Sequence, residues 1–416
     1  MNICLLGYRS NPFSGGQGVY LNYLSRALVD AGHRVDVISG PPYPELDSRV
    51  GLIKLPSLDL YAEGEGVRRF KWRYLRSITD TFEYFSTISG GFPEPYTFGR
   101  RLIDLFDQTQ PRYDVVHDNQ CLSYGTFELQ ARGIPLVTTI HHPITRDLEI
   151  ALAAADSWGL RLLIRRWHSF LTMQKNVAKK LKHLVTVSYA ARDDIRAAFQ
   201  LGDQPIEVIH NGIDLDQFRP MGNRDDHGLQ TGPPIIMSTA SADAPLKGLN
   251  TLLDAFAIVL AEHPNAQLRL IGALKPGGDT EQKIQSLGIN NAVDALGRVD
   301  TEDMVSLYQN ATVAVVPSVY EGFGFPAGEA MACGVPLIST DGGALPEVVG
   351  DAGLIVPAQD PRAMARAISN LITDPNRRTE LSRAGMVRIH EQFNWRRAAD
   401  AYVSLYQKAI EQSQCL

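Results

Sequence analysis

Cysteine is scarce and scattered. The 416 residues hold four, Cys4, Cys121, Cys333 and Cys415, with no CxxC pair among them. That spacing argues against a zinc ribbon or a disulfide framework. It reads as reduced thiols, which points to a cytoplasmic protein. Long apolar runs are missing as well: none approaches the ~20 residues that span a bilayer. The opening MNICLLGYRSN has no basic leader, and its apolar stretch is too short for a signal peptide. It reads instead as a buried first strand. Low-complexity segments are absent. Positive charge is not in excess: the net charge is −6, which gives no bulk attraction to nucleic acid.

What is there is length and rhythm. A chain of 416 residues is long for one core and suits two domains of roughly 200 each. In the first half, strand-like runs NICLLGY (2–8), RVDVISG (34–40), YDVVHDN (113–119), IPLVTTIHH (134–142), HLVTVS (183–188) and IEVIHNG (206–212) alternate with helical patterns. After a polar break the same grammar restarts. IIMSTAS (235–241), AQLRLIG (266–272), AVDALG (292–297), TVAVVPS (312–318), VPLIST (335–340) and AGLIVP (352–357) are the next strands. Short Val/Ile-rich runs alternating with helices mean parallel sheets covered on both faces. The expected fold class is α/β, with two Rossmann-like doubly wound domains facing across a cleft. The boundaries read as a domain over 1–212, a linker over 213–232, a second domain over 233–395 and a terminal helix over 396–416.

Charge divides unevenly between the halves. Residues 1–212 carry 24 basic and 22 acidic side chains, and residues 213–416 carry 16 and 24. The first half also holds two basic-aromatic stretches. In one, Arg68, Arg69, Lys71, Arg73 and Arg76 surround Phe70, Trp72 and Tyr74; in the other, Arg161, Arg165 and Arg166 flank Trp167. They read either as amphipathic segments packed on the domain or as a peripheral contact with an anionic membrane surface.

Three loops carry the chemistry. SNPFSGGQGVY (10–20) places Gly15, Gly16 and Gly18 between strand one and helix one. Glycines admit a phosphate to the backbone, and a helix start offers free N–H groups. The spacing is not the dinucleotide GxGxxG, so a tight structural turn is an equal reading. SADAPLKGLN (241–250) sets Lys247 before a helix, where its ammonium can meet a diphosphate, with Thr239 and Ser241 as hydroxyl donors. EGFGFPAGEAMACGVP (321–336) puts Glu321 before a helix and Glu329 on it. Pro326 suits the first turn and Gly334 the stop. The N–H groups of Gly322, Phe323 and Gly324 are candidates to face a ligand. Carboxylates accept hydrogen bonds from vicinal hydroxyls, so two acids at this spacing can hold two sugar rings of one ligand. The plainer reading is a capping glutamate and a solvated one.

This third stretch resembles the Glu-x7-Glu motif of retaining nucleotide-sugar glycosyltransferases of family 4. VVPSVYEGFGFPAGEAMACGVPLISTDGGALPEVVGDAGLIVP (315–357) is similar to that family nearly throughout, and VIHNGIDLDQFRP (208–220) resembles its hinge. The likeness runs along almost the whole chain and is loosest between 41 and 112. It implies the GT-B fold and transfer of a hexose-type sugar from a nucleoside diphosphate sugar to a glycan, lipid-linked or small-molecule hydroxyl. It also implies that no metal or other cofactor is needed. By resemblance Glu329 holds the ribose. Glu321, with Gly322, Phe323, Gly324 and Phe325, holds the transferred sugar and phosphates. Lys247 and Gly16 meet the diphosphate, and Arg298 and Val299 lie where the base sits. One departure stands out: the family's usual arginine, five or six residues before the lysine, is replaced by Ala242 or Ser241.

Acid-base and acceptor-side candidates lie at strand ends of the first domain. His117 and His141 are the favoured pair for catalysis or polar contact, with Asp118, Asn119 and His142 on the acceptor side. Two rival readings stay open: a GT-B epimerase or phosphorylase, and a non-catalytic sugar-nucleotide-binding subunit.

Overall fold

A computed structural model describes residues 1–12, 16–62, 70–221, 232–239 and 244–414. The chain divides into two compact units. One comprises Met1–His210 and Trp395–Leu416, the other Asn211–Asn394.

The first unit is built on a seven-stranded, wholly parallel sheet. Its strands are β1 (Asn2–Gly7), β2 (Arg34–Ser39), β3 (Gly51–Lys54), β4 (Val115–Asn119), β5 (Leu136–Ile140), β6 (His183–Thr186) and β7 (Ile206–Val208). Their order is β3-β2-β1-β4-β5-β6-β7. The order reverses between β1 and β4, which pair from Ile3↔Val115 to Leu6↔Asp118. β4 and β5 are buried along their whole length because helices cover both faces. The sequence reading missed β3. It is a four-residue edge strand, GLIK, only half-buried and too short to show a period.

The second unit has a six-stranded parallel sheet: β8 (Ile235–Thr239), β9 (Gln267–Ile271), β10 (Val293–Gly297), β11 (Val313–Val316), β12 (Leu337–Thr340) and β13 (Leu354–Val356). Their order is β10-β9-β8-β11-β12-β13, with the reversal between β8 and β11. Its core gathers Ile236, Leu252, Phe256, Leu268, Val313, Ile338 and Ile368. Residues 213–220, read from sequence as linker, fold into this unit. Ile213 is 2% exposed and bridges to Asn394, and Phe218 is 3% exposed. Most of the remaining linker segment, 222–231, lies outside the described residues.

The last helix, Trp395–Gln414, belongs to the first unit. Trp395, Ala398, Ala399, Tyr402, Leu405, Tyr406 and Ala409 form its buried stripe at helical spacing. Trp395 stacks on Tyr23 of the helix Gln17–Asp30, with ring centroids 5.6 Å apart. Two hydroxyls of this stripe reach deeper: Tyr402 accepts from Tyr20 at 2.7 Å, and Tyr406 lies 2.6 Å from His117 Nδ1.

Candidate functional site

In open parallel sheets, ligands sit beyond the carboxyl ends of the strands where the order reverses. In the second unit those ends are the loops after β8 and β11. The loop after β8 closes in the 3-10 turn Pro245–Lys247 and enters the helix Leu249–Glu262 through Gly248 at φ +65°. A side chain at Gly248 would meet the carbonyl oxygen of Pro317 at 1.9 Å, so only glycine lets this loop lie against the β11 loop. Val319 N–H donates to the Leu246 carbonyl at 2.8 Å and locks the two together.

That docking sets Lys247 Nζ 2.7 Å from Glu321 Oε1, an ion pair with side chains 35% and 13% exposed. Ser318 Oγ donates to the same oxygen at 2.8 Å. The carbonyl of Glu321 accepts from Ala344 N–H at 2.9 Å. Gly343, at φ +62°, leaves room for this contact, since a side chain there would lie 2.3 Å from the Glu321 oxygen. Gly324, at φ +102°, turns the chain into the helix Phe325–Ala332. Phe323 buries its ring against Phe325 and Phe393, which leaves its backbone as the part available to a ligand.

Glu329 stands on the second turn of that helix. Its residue is half-buried, yet protein atoms crowd its carboxyl, and burial pushes its pKa up to about 7. Tyr308 lies close by. Its hydroxyl is 3.4 Å from Thr239 Oγ1 and donates to the Pro326 carbonyl. Burial, then the charge of Glu329, raises its own pKa. Arg298 and Val299 follow β10, the first exposed and the second half-buried. Ser241 and Ala242 lie outside the described residues. The sequence reading missed Ser318, Tyr308 and the Gly342–Gly343 turn. A small polar residue and two glycines after strand ends were the signal available for Ser318 and the turn.

In the first unit the reversal brings together the loops after β1 and β4. Gly16 caps the helix Gln17–Asp30 at φ +74°, and its carbonyl accepts from Tyr20 N–H at 2.9 Å. Gly15 lies outside the described residues. Asn119 and His141 meet as neighbouring strand ends, with His141 Nε2 2.6 Å from Asn119 Oδ1. The His141 ring packs edge-on against Tyr20 at 4.6 Å. Burial, then His142, lowers its pKa to about 3, so it is neutral at pH 7. Gln120, absent from the sequence reading, splints this edge. It accepts from His141 N–H at 2.7 Å and donates to the His142 carbonyl at 2.9 Å. Its φ of +57°, with +52° at Leu122, marks a strained turn of the kind that recurs at functional sites. His142 is more open and lies 3.4 Å from Asp147.

Two candidates, His117 and Asp118, are buried with their polar atoms held by groups of the first unit. His117 is 1% exposed, and both ring nitrogens are engaged, by Tyr406 at 2.6 Å and Thr139 at 2.8 Å. Asp118 is fully buried and accepts the N–H groups of Cys121 at 3.1 Å and Leu122 at 2.9 Å, which forms the turn after β4. Burial decides both protonation states. It pulls His117 down to about 3 and pushes Asp118 up to about 7. Below about pH 6.5 the unfolded chain binds a proton that native His117 refuses, so this histidine makes stability fall as pH drops from about 6.5 towards 3. Asp118 acts oppositely: its contribution is complete below about 3.9 and lost as pH rises through about 7. In urea unfolding between pH 6.5 and 4.5, His117→Gln should therefore lose stability less steeply than the parent. Equal slopes would contradict the assignment.

Two parallel doubly wound sheets, with a lysine–glutamate pair and a second glutamate at the reversal of one of them, define a glycosyltransferase of the GT-B class. Family comparison agrees. Residues 14–217 match "Glycosyltransferase Family 4" and residues 222–388 match "Glycosyl transferases group 1". The chain belongs to this glycosyltransferase family. It is 42% identical to the MMP alpha-(1->4)-mannosyltransferase of Mycolicibacterium hassiacum, over 99% of this chain and 98% of that protein. Among solved structures, sucrose-phosphate synthase from Thermosynechococcus elongatus superposes with a TM-score of 0.72 at 24% identity, covering 99% of both chains. Anabaena HepE, solved in complex with UDP, does so at 0.66 and 16% identity, over 98% of this chain and all of that one.

Proposed function

We propose that this chain is a retaining mannosyltransferase that moves a hexose from a nucleoside diphosphate sugar to an acceptor hydroxyl of a glycan, forming an α-(1→4) link. The observation that carries the donor reading is the cluster Lys247–Glu321–Ser318 beside Glu329 at the sheet reversal of the second unit. The sugar and linkage rest on the full-length likeness to a mannosyltransferase.

In this reading Lys247 leaves Glu321 to meet the diphosphate, and Glu321 turns to the sugar hydroxyls. Glu329 accepts the ribose hydroxyls. An α-linked product from an α-linked donor requires that the new bond form on the face where the old one breaks. The C1–oxygen bond to the diphosphate opens, the acceptor oxygen closes on C1, and the acceptor proton passes to the leaving phosphate oxygen. Protein groups act by position and charge. Lys247 and backbone N–H groups supply the positive charge, so the reaction is proposed to run without a metal ion. His141 and Asn119 are the groups of the first unit proposed to meet the acceptor.

The test is calorimetry against UDP, GDP and ADP sugars, then turnover of the bound donor with mannose oligosaccharides, with and without EDTA. One donor is expected to be consumed only when acceptor is present, with an α-anomeric product and no effect of EDTA. Conversion without acceptor would make the protein an epimerase. Dependence on free phosphate would make it a phosphorylase, and binding without turnover a binding subunit.

A further inference from the structure

The helix Ile78–Ile88 turns most of its large apolar side chains outward. Its outward face carries Ile78, Phe82, Phe85 and Ile88, exposed by 78%, 45%, 51% and 45%. Its inward face carries Tyr84, packed with Leu60 and Tyr74, together with Thr79, Glu83, Ser86 and Thr87, all buried. The reason lies beneath it. Glu83, 3% exposed at its side chain, pairs with Arg101, which also holds Asp80. This ion pair and the packing of Tyr84 on Tyr74 face inward, and the apolar stripe is left to solvent.

A second helix joins this surface. Trp158–Trp167 has no buried residue. It exposes Trp158 by 78%, Leu162 by 53% and Leu163 by 51%. Arg166 ties it to the first helix, donating to Ser86 at 3.0 Å and Ser89 at 3.1 Å. The 3-10 turn Trp72–Leu75 adds Trp72, the most exposed indole at 81%, and Leu75. Monomeric proteins rarely leave so many large apolar side chains together in water.

Charge identifies what covers them. Lys71, Arg73, Arg76, Arg161, Arg165 and Arg166 lie in these segments; residues 70–79 and 157–168 contain no acidic side chain, and the two acids of the helix Ile78–Ile88, Asp80 and Glu83, are both paired with Arg101. The whole chain is net negative, so the patch opposes its own protein in sign. A second copy docked through the same face would set six cations against six. An anionic bilayer satisfies both features: its headgroups meet the arginines and lysine, and its acyl boundary takes the aliphatic and indole side chains. In chain order the segments lie between β3 and β4 and between β5 and β6. Arg68 and Arg69, which the sequence pattern grouped with them, lie outside the described residues.

We infer that this face of the first unit is a peripheral docking surface for anionic membrane lipid. The inference does not rest on the donor or the linkage proposed above. No helix among the described residues is long and apolar enough to cross a membrane, so the contact is one of lying on the surface.

The experiment is sedimentation of the full chain with vesicles of phosphatidylcholine alone, or with about a third phosphatidylglycerol. The chain should pellet with the anionic vesicles at low salt, stay in solution with the neutral ones, and be released by high salt. The fluorescence of Trp72 and Trp158 should shift to the blue on binding. Arg73→Ser with Arg76→Ser and Arg165→Ser should weaken binding on the order of a hundredfold. Ile78→Ser with Phe85→Ser and Trp158→Ser should abolish the part that resists salt. All six positions are exposed, and an unchanged melting temperature confirms that the variants fold. No binding to anionic vesicles at low salt would overturn the inference, as would binding that neither triple variant alters. Analytical ultracentrifugation showing a dimer that the apolar variant dissolves would assign the face to a second copy instead.

Discussion

Lys247→Ala is expected to lose sugar transfer by about two to three orders of magnitude, the scale seen when one charge-stabilising donor is removed from a reacting centre. Two effects combine. The variant takes away the ammonium proposed to meet the leaving diphosphate, at a site where the family's arginine is replaced in the sequence by a small residue. It also strips Glu321 of its 2.7 Å partner and leaves that carboxylate, 13% exposed, with Ser318. An uncompensated charge would then face the phosphates. The loss should fall mainly on kcat, and the double variant Lys247→Ala with Glu321→Ala should lose far less than the product of the single losses, because the two side chains act as a pair. Lys247→Arg should restore part of the activity. Near-full transfer by the alanine variant would assign the diphosphate to backbone N–H groups or hydroxyls.

Glu329→Ala is expected to weaken nucleoside diphosphate binding about 10- to 150-fold, the equivalent of about 1.5–3 kcal/mol for hydrogen bonds to a charged group. Calorimetry measures it directly. The raised pKa adds a second readout. Free Glu329 titrates at about 7 because burial disfavours its charge. Ribose hydroxyls donating to the carboxylate favour the ionised form, so its pKa falls on binding. Affinity should therefore rise as pH increases from about 6 through 7, with release of a fraction of a proton. The binding enthalpy near pH 6.5 should depend on the ionisation heat of the buffer, and Glu329→Gln should remove that dependence. Unchanged affinity in the alanine variant would move the ribose elsewhere. Glu321→Ala should differ in kind, lowering kcat while nucleotide binding persists.

Much of the architecture was readable because it is local. Val/Ile runs alternating with amphipathic segments lead to parallel sheets, and one helical period continued past the second sheet marks the terminal helix. Glu321 and Glu329 were readable for the same reason: a glycine-aromatic loop, Pro326 and Gly334 bracket a short helix within sixteen residues. Strand β3 was not, since four residues at a sheet edge carry no period. The surroundings of His117 and Asp118 were not readable. A histidine at a strand end looks reactive in sequence, but Tyr406, 289 positions away, occupies one of its nitrogens.

The sequence by itself determined the two doubly wound folds, the loops that carry glycine, lysine and glutamate, and the excess of arginine among aromatics in the first half. Each follows from spacing within a few residues. Only the tertiary structure decided which groups meet. Lys247 and Glu321 are 74 positions apart and pair because a glycine without Cβ lets two loops touch. Tyr308 meets Thr239, 69 positions away, because β11 lies beside β8. The helix Ile78–Ile88 shows the limit most directly. Its period reveals an apolar stripe, but nothing in the period says which way the stripe points. Tertiary contacts decide that: Arg101 pairs with Glu83 and Asp80, Tyr84 packs on Tyr74, and four large apolar side chains face out.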